Sequence, residues 1–288
     1  METSELLKKV RKIEIKTRGL SKQIFSGEYH SAFKGRGMAF SEVREYTPGD
    51  DVRSIDWNVT ARFNSPFVKV FEEERELSVM LLVDVSASGL FGTFEKIKQD
   101  LITELCAVIS FSASTNNDKI GIIFFSDKIE KFIPPKKGKT HVLRIIRELI
   151  DFQPQNKATN IEVPLKFLTN AIKKRTICFL ISDFYAPFNY TDALKISNKR
   201  HDMVAVRIVD KTEQEIPSIG LIKLMDNETG KTIWVDSSDK NFRKQFTVNR
   251  LKFDNDLKDL FNRSGVDATT VYTNESYIKP LMNLFKKR

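Results

Sequence analysis

The chain has 288 residues, 41% of them hydrophobic and 30% charged, and its 47 Lys and Arg against 38 Asp and Glu give a net charge of +9. This balance reads as a soluble globular protein with a real core, arranged as one large domain or two modest ones. No run is long and apolar enough to span a bilayer, since the longest candidates, 77–83 and 176–182, are strand-length.

The N-terminus, METSELLKKVRKIEIKTRG, is charged and has no apolar signal-peptide core, so the cytoplasm is the expected location. Cys106 and Cys178 sit singly in apolar segments, which is no disulfide framework and no thiolate ligand set. His30, His141 and His201 are scattered without zinc-type pairing. The positive charge is spread along the chain among many acids. Its densest runs, KKGKTH (136–141) and the terminal KKR, lack the aromatic interleaving of a base-stacking surface, so nucleic acid is not the favoured partner.

Residues 1–70 are polar, Gly-containing and irregular, with a helix expected near 4–26. From about residue 77 the pattern alternates. Runs at 77–83 (LSVMLLV), 119–125 (KIGIIFF), 176–182 (TICFLIS) and 203–209 (MVAVRIV), with a weaker one at 269–273, are short and rich in Val and Ile, as strands buried on both faces are. Residues 127–133 alternate apolar with charged and suit an antiparallel edge strand. Helical patterns fill the gaps at 94–115, 139–151, 161–173 and 191–200; the first carries apolar residues at 97, 101, 102, 105, 108 and 109. Residues 216–236 read as a β-hairpin turning at Asn227–Gly230, 238–263 as a helix and 276–286 as a short terminal helix. Strand–helix alternation predicts a layered α/β fold on a mainly parallel central sheet. The expected division is 1–76, a helix and charged docking block, and 77–288, the α/β domain with its C-terminal hairpin and helices.

In such sheets ligands bind beyond the carboxyl ends of the strands, where strand order reverses. LLVDVSASG (81–89) ends one strand on Asp84, followed by Ser86 and Ser88; FLISDFYAP ends another on Asp183; NKATNIEVPL opens a helix with Thr159. Asp84, Ser86, Ser88, Thr159 and Asp183 are all hard oxygen donors, a chemistry that selects Mg²⁺, Mn²⁺ or Ca²⁺ over zinc. Two carboxylates and three hydroxyls leave an octahedral Mg²⁺ with water or an open position, which a partner's carboxylate would complete. Other chemistries fit worse. Position 86 is Ser where an aspartyl-phosphate enzyme needs a second Asp. GKT at 138–140 lacks the upstream P-loop glycine, because that position is Ile133. No G-x-S-x-G elbow occurs.

The D-x-S-x-S, Thr, Asp order resembles the metal-ion-dependent adhesion site of von Willebrand factor A-type domains. In that family Ser and Thr hydroxyls and a carboxylate hold a divalent cation, often Mg²⁺, and a partner's acidic residue supplies a further ligand. The family often has Met after the last Ser; here it is Gly89.

The block at 33–76 crowds charge and aromatics around few aliphatics. It reads both as a lobe pinned by ion pairs and as a docking face of Arg44, Tyr46, Asp50, Asp51, Arg53, Asp56, Trp57 and Arg62. The string Phe40…Arg44-Glu45-Tyr46-x-x-Gly49-Asp50-Asp51-x-Arg53-x-Ile55-Asp56-Trp57…Ala61-Arg62, followed by DVSAS, SDF and RHDMVAVRIVD, resembles the bacterial domain-of-unknown-function family 58 over nearly the whole chain. The resemblance implies a Rossmann-like von Willebrand factor A-type fold behind an irregular N-terminal block. It also implies a MoxR-type AAA+ ATPase as partner, alongside membrane-anchored von Willebrand factor A proteins. The role implied is an adaptor in protein or complex maturation or envelope stress tolerance, held at the inner face of the membrane only through partners.

The expectation is therefore a non-enzymatic, divalent-cation-dependent interaction protein. Its rivals are a metal-dependent, phosphoesterase-like hydrolase, which needs a general base and more carboxylates than are in view, and a basic nucleic-acid binder.

Overall fold

The computed structural model describes residues 38–63, 65–73, 77–86, 92–93, 96–210, 213–214, 216–225 and 230–288, with positions 10, 11, 13, 14 and 17. The chain divides into two compact units, Phe33–Leu77 and the combination of Met1–Ala32 with Ser78–Arg288. Positions 10, 11, 13, 14 and 17 are helical, and the Thr17 hydroxyl donates to the Ile13 carbonyl at 2.7 Å. The rest of the helix expected near 4–26 lies outside the described residues.

The smaller unit is more regular than its sequence suggests. Strand β1 (Met38–Glu45) pairs antiparallel with β2 (Phe67–Glu73), and between them run a 3-10 turn (Val52–Ser54) and helix α1 (Trp57–Phe63). Neither MAFSEVRE nor FVKVFEE alternates strictly apolar with polar, and their charges and the Gly- and Pro-containing turn between them leave no clear period-2 signal in the sequence. The turn is tied by side chains. Arg44 grips Asp50 with two hydrogen bonds of 2.8 and 2.6 Å, and Asp50 also accepts the Thr47 N–H. The Arg44 bond, then the Thr47 N–H, hold the Asp50 carboxyl far below the usual carboxylate range.

The larger unit is built on a six-stranded sheet of order β12-β9-β8-β3-β6-β7. In chain order come β3 (Ser78–Asp84), the two-residue strands β4 (Gly92–Thr93) and β5 (Lys96–Ile97), α2 (Lys98–Thr115), β6 (Lys119–Phe125), β7 (Ile129–Lys136), α3 (Lys139–Asp151), α4 (Glu162–Ala171), β8 (Ile177–Ser182), α5 (Thr191–Arg200) and β9 (Asp202–Val209). The hairpin β10 (Leu221–Met225) and β11 (Thr232–Asp236), α6 (Lys240–Ser264), β12 (Asp267–Tyr272) and α7 (Ile278–Lys286) complete it. All ladders of the sheet are parallel except β6–β7, where β7 is the antiparallel edge expected from its alternation. This is the layered α/β architecture on a mainly parallel central sheet that the strand–helix alternation predicts. The hairpin and α6 are inserted before the last strand of the sheet instead of following the domain as an extension. The hairpin tip, 226–229, lies outside the described residues.

The central strands are apolar on both faces because both are covered. Met80, Leu82, Cys178, Leu180, Met203 and Ala205 pack with Leu165 and Leu168 of α4, Leu194 of α5 and Leu257 and Phe261 of α6. The alternate residues Val79, Leu81, Val83, Phe179 and Ile181 are equally buried and serve the face covered by α2, α3 and α7, where Phe285 meets Phe179 edge-on.

Gly121 permits the close approach of β7 to the sheet. A Cβ there would lie 2.7 Å from Met80 Sδ and 2.8 Å from both Ile133 O and Pro135 N, two of them backbone atoms that cannot swing aside. Gly121→Ala is expected to destabilise the protein by about 1–3 kcal/mol, read as a lowered midpoint in thermal unfolding; an unchanged midpoint would refute the tight fit.

Candidate metal centre

The chain runs from β3 to β6 on one side and later returns to place β8 on the other side of β3. Strand order thus reverses at β3, and the carboxyl end of β3 is the crevice where α/β sheets bind ligands. Asp84 is its last residue, in register with Phe125 of β6, while Val83 pairs with Ile181 of β8 and brings Ser182 alongside.

Asp84 is buried, and both its oxygens are engaged. Oδ1 accepts the Ser86 N–H at 3.0 Å, and Oδ2 accepts the Ser182 hydroxyl at 2.6 Å. Burial, and next the charge of Asp183, push the Asp84 carboxyl up to about 7, against the pull of hydrogen bonds from Ser182 and Ser86. Ser86 is buried beside it. Asp183 follows β8 directly. Its Oδ1 accepts the Tyr185 N–H at 3.0 Å, and its Oδ2 faces the Lys98 ammonium at 3.2 Å.

The turn after β8 is strained. Phe184 has φ of +60°, a left-handed conformation that costs a non-glycine residue on the order of 1–2 kcal/mol. The Ser182 hydroxyl accepts the Phe184 N–H at 3.0 Å, and the buried Phe184 ring meets Phe261 of α6 edge-on at 5.1 Å. That turn keeps Asp183 at the crevice and leaves Tyr185, 64% exposed, at its rim against Phe253 and under the Arg250 guanidinium.

Of the five residues expected to form the site, Asp84, Ser86 and Asp183 share the carboxyl ends of β3 and β8. Thr159 is half-buried on the loop before α4; its neighbour Asn160 donates its N–H to Ser126 O, just past the end of β6, at 3.0 Å. Ser88 lies outside the described residues. Among the described residues no group of three or more His, Cys, Asp and Glu is placed to hold a metal. A site here depends on its hydroxyls. A recess beside it is lined by Asp84, Ser86, Gln99, Ile102, Thr103 and Leu149.

Sequence reasoning missed Ser182, Lys98 and Glu213. Ser182 was legible as the residue before Asp183, one strand position from Asp84. Lys98, at the start of a helix, gave no signal.

In the smaller unit, Arg44, Asp50, Asp51 and Asp56 are engaged in local structure. Asp51 accepts the Arg53 N–H at 2.9 Å, and Asp56 accepts the Asn58 N–H at 3.0 Å and lies 3.4 Å from the Lys69 ammonium. Trp57 is 70% exposed, Arg53 and Arg62 are exposed and Tyr46 is half-buried.

Residues 42–254 match the model of the family described as "Protein of unknown function DUF58". The chain belongs to this family. The uncharacterized protein Rv1480 of Mycobacterium tuberculosis H37Rv is 30% identical over 232 residues, 80% of this chain and 73% of its own. The uncharacterized protein YeaD of Bacillus subtilis 168 is 28% identical over 109 residues, 38% of this DUF58 chain and 25% of its own. An aerotolerance-related membrane protein from Bacteroides fragilis, solved with multiple mutations to serines, superposes with a TM-score of 0.50 at 15% identity over 74% of this chain and 100% of that one. At that identity the likeness carries the fold alone. Among the described residues of this chain no helix is long and apolar enough to cross a membrane.

The raised Asp84 carboxyl has a thermodynamic consequence in metal-free protein. Its folded value, about 7, exceeds the ordinary 3.8, so the folded state holds a proton that the unfolded chain releases between those values. Stability falls as pH rises from about 4 to about 7, and the full penalty stands above that. Asp84→Asn removes it. In EDTA at pH 8 the variant is expected to melt higher by at least roughly 2–4 °C, the equivalent of about 1 kcal/mol. The gain should shrink as the pH is lowered toward 4, and a lower melting point at pH 8 would contradict this electrostatic picture.

Proposed function

We propose that this DUF58 protein is a non-enzymatic interaction module whose partner contact is bridged by a divalent cation at the carboxyl end of β3. The observation that carries the reading is the geometry at Asp84: a buried carboxyl hydrogen-bonded by Ser86 and Ser182, with Asp183 at the end of the neighbouring strand, its ionisation opposed first by burial and then by the Asp183 charge. A cation between these groups would relieve that opposition, and the available donors are hard oxygens suited to Mg²⁺ or Mn²⁺. Asp84, Ser86, Ser88, Thr159 and Asp183 would hold the ion, which would supply positive charge and an open coordination position for a partner's carboxylate. Asp84 and Asp183 provide the charge; the hydroxyls orient it and exclude softer metals. Residues 33–76, with exposed Trp57, Arg53 and Arg62, are the proposed second contact surface. The partner proposed on the family resemblance is a MoxR-type AAA+ ATPase, in maturation of proteins or complexes or in envelope stress tolerance.

Isothermal titration of Mg²⁺ and Mn²⁺ tests this. Saturable binding by the wild-type protein, lost in Ser86→Ala, is expected, with EDTA abolishing capture of the ATPase while moderate salt does not. Capture that is indifferent to EDTA and falls steeply with salt would overturn the reading in favour of a phosphate-driven contact.

A further inference from the structure

Lys98 opens α2, and its side chain is only 2% exposed. Its ammonium lies 3.2 Å from Asp183 Oδ2 and 2.6 Å from Glu213 Oε1. Glu213 is fixed in turn: its N–H donates to Asp210 O at 3.0 Å, and its Oε2 accepts the Asp210 N–H at 3.4 Å. Nothing in helix stability favours this lysine. A cation in the first turn opposes the helix dipole, and taking an ammonium out of water is costly unless close anionic partners repay it. A residue that suits neither its helix nor its burial is explained by what it touches, and it touches the second carboxylate of the candidate metal set.

We infer that Lys98 is a built-in counter-cation that competes with the divalent ion for Asp183, with Glu213 as its alternate seat. The inference rests on the metal reading above and adds its regulation. With Lys98 on Asp183, one of the two carboxylates of the set is already neutralised and the site's attraction for a free divalent cation is weakened. With the ammonium drawn to Glu213, Asp183 is released to the ion. The shorter contact to Glu213 shows that this seat is already formed, so the transfer needs a shift within one salt-bridge cluster and no rearrangement of the fold. Such a site binds free metal weakly and is completed when a partner's carboxylate restores the missing negative charge, which couples metal and partner binding.

A competing lysine and a merely structural one predict opposite effects, and Mn²⁺ and Mg²⁺ titrations separate them. If Lys98 competes, Lys98→Met should bind Mn²⁺ roughly tenfold more tightly than wild type, since a charge a few ångströms from a divalent ion is worth at least that factor at intermediate dielectric. Glu213→Gln, which weakens the alternate seat, should bind severalfold more weakly. If Lys98 only pins Asp183 in place, Lys98→Met loosens the site and weakens binding. Thermal melts establish that each variant is folded; should Lys98→Met fail to fold, the direction of the Glu213→Gln change decides alone. Unchanged or weaker binding by a folded Lys98→Met, or unchanged or tighter binding by Glu213→Gln, overturns the inference while leaving the metal reading standing. Absence of Mn²⁺ binding at millimolar metal in wild type and both variants overturns the metal reading and this inference together. Binding by Lys98→Met alone supports both.

Discussion

The hydrogen bond from the Ser182 hydroxyl to Asp84 Oδ2, 2.6 Å long, joins the carboxyl ends of two neighbouring parallel strands, and the candidate site is organised around it. A buried carboxylate with a raised titration point is an expense at the edge of a core, and the fold tolerates it only because donors are fixed around it. Ser182 does double service. It donates to Asp84 and accepts the Phe184 N–H, and so helps to hold the left-handed turn that keeps Asp183 at the crevice. The register of β3 against β8 decides all of this, because a slip of one residue would send Asp84 and Ser182 to opposite faces of the sheet.

That register is set by the core. β3 lies between β8 and β6, and its apolar residues are buried on both faces against helices from both sides. The place where strand order reverses is therefore also a strand buried on both faces. A ligand site at the end of β3 adjoins that buried core, whereas Tyr185 at its rim and Leu221, Ile233 and Trp234 of the inserted hairpin expose their side chains.

The inner strands β3, β6, β8 and β9 were legible because each is a short, largely apolar run, and the edge strand β7 because apolar and charged residues alternate in it; helices fell where an apolar stripe recurred every three or four residues. Asp84, Ser86 and Asp183 were legible because oxygen-bearing side chains at the ends of buried strands converge in any parallel α/β sheet. The pairing of β1 with β2 was not, because Arg44, Glu42, Lys69 and the TPGDD turn break up the apolar pattern with charge. Lys98 and Glu213 were invisible for a different reason. In sequence a lysine at a helix start and a glutamate in a loop look like solvated surface, and only the fold brings the buried Lys98 ammonium against Asp183 after β8 and Glu213 after β9. The strain at Phe184 gave no signal either, since nothing in SDFY marks a non-glycine residue with positive φ.

Anomalous diffraction from crystals of the protein grown in Mn²⁺ tests the central claim most directly. The account predicts one peak at the end of β3, bounded by the hydroxyls of Ser86 and Thr159 and adjoining Asp84, and lost on soaking in chelator. Full-occupancy crystals showing no density there at saturating Mn²⁺, with Asp84 still held only by Ser86 and Ser182, would contradict it.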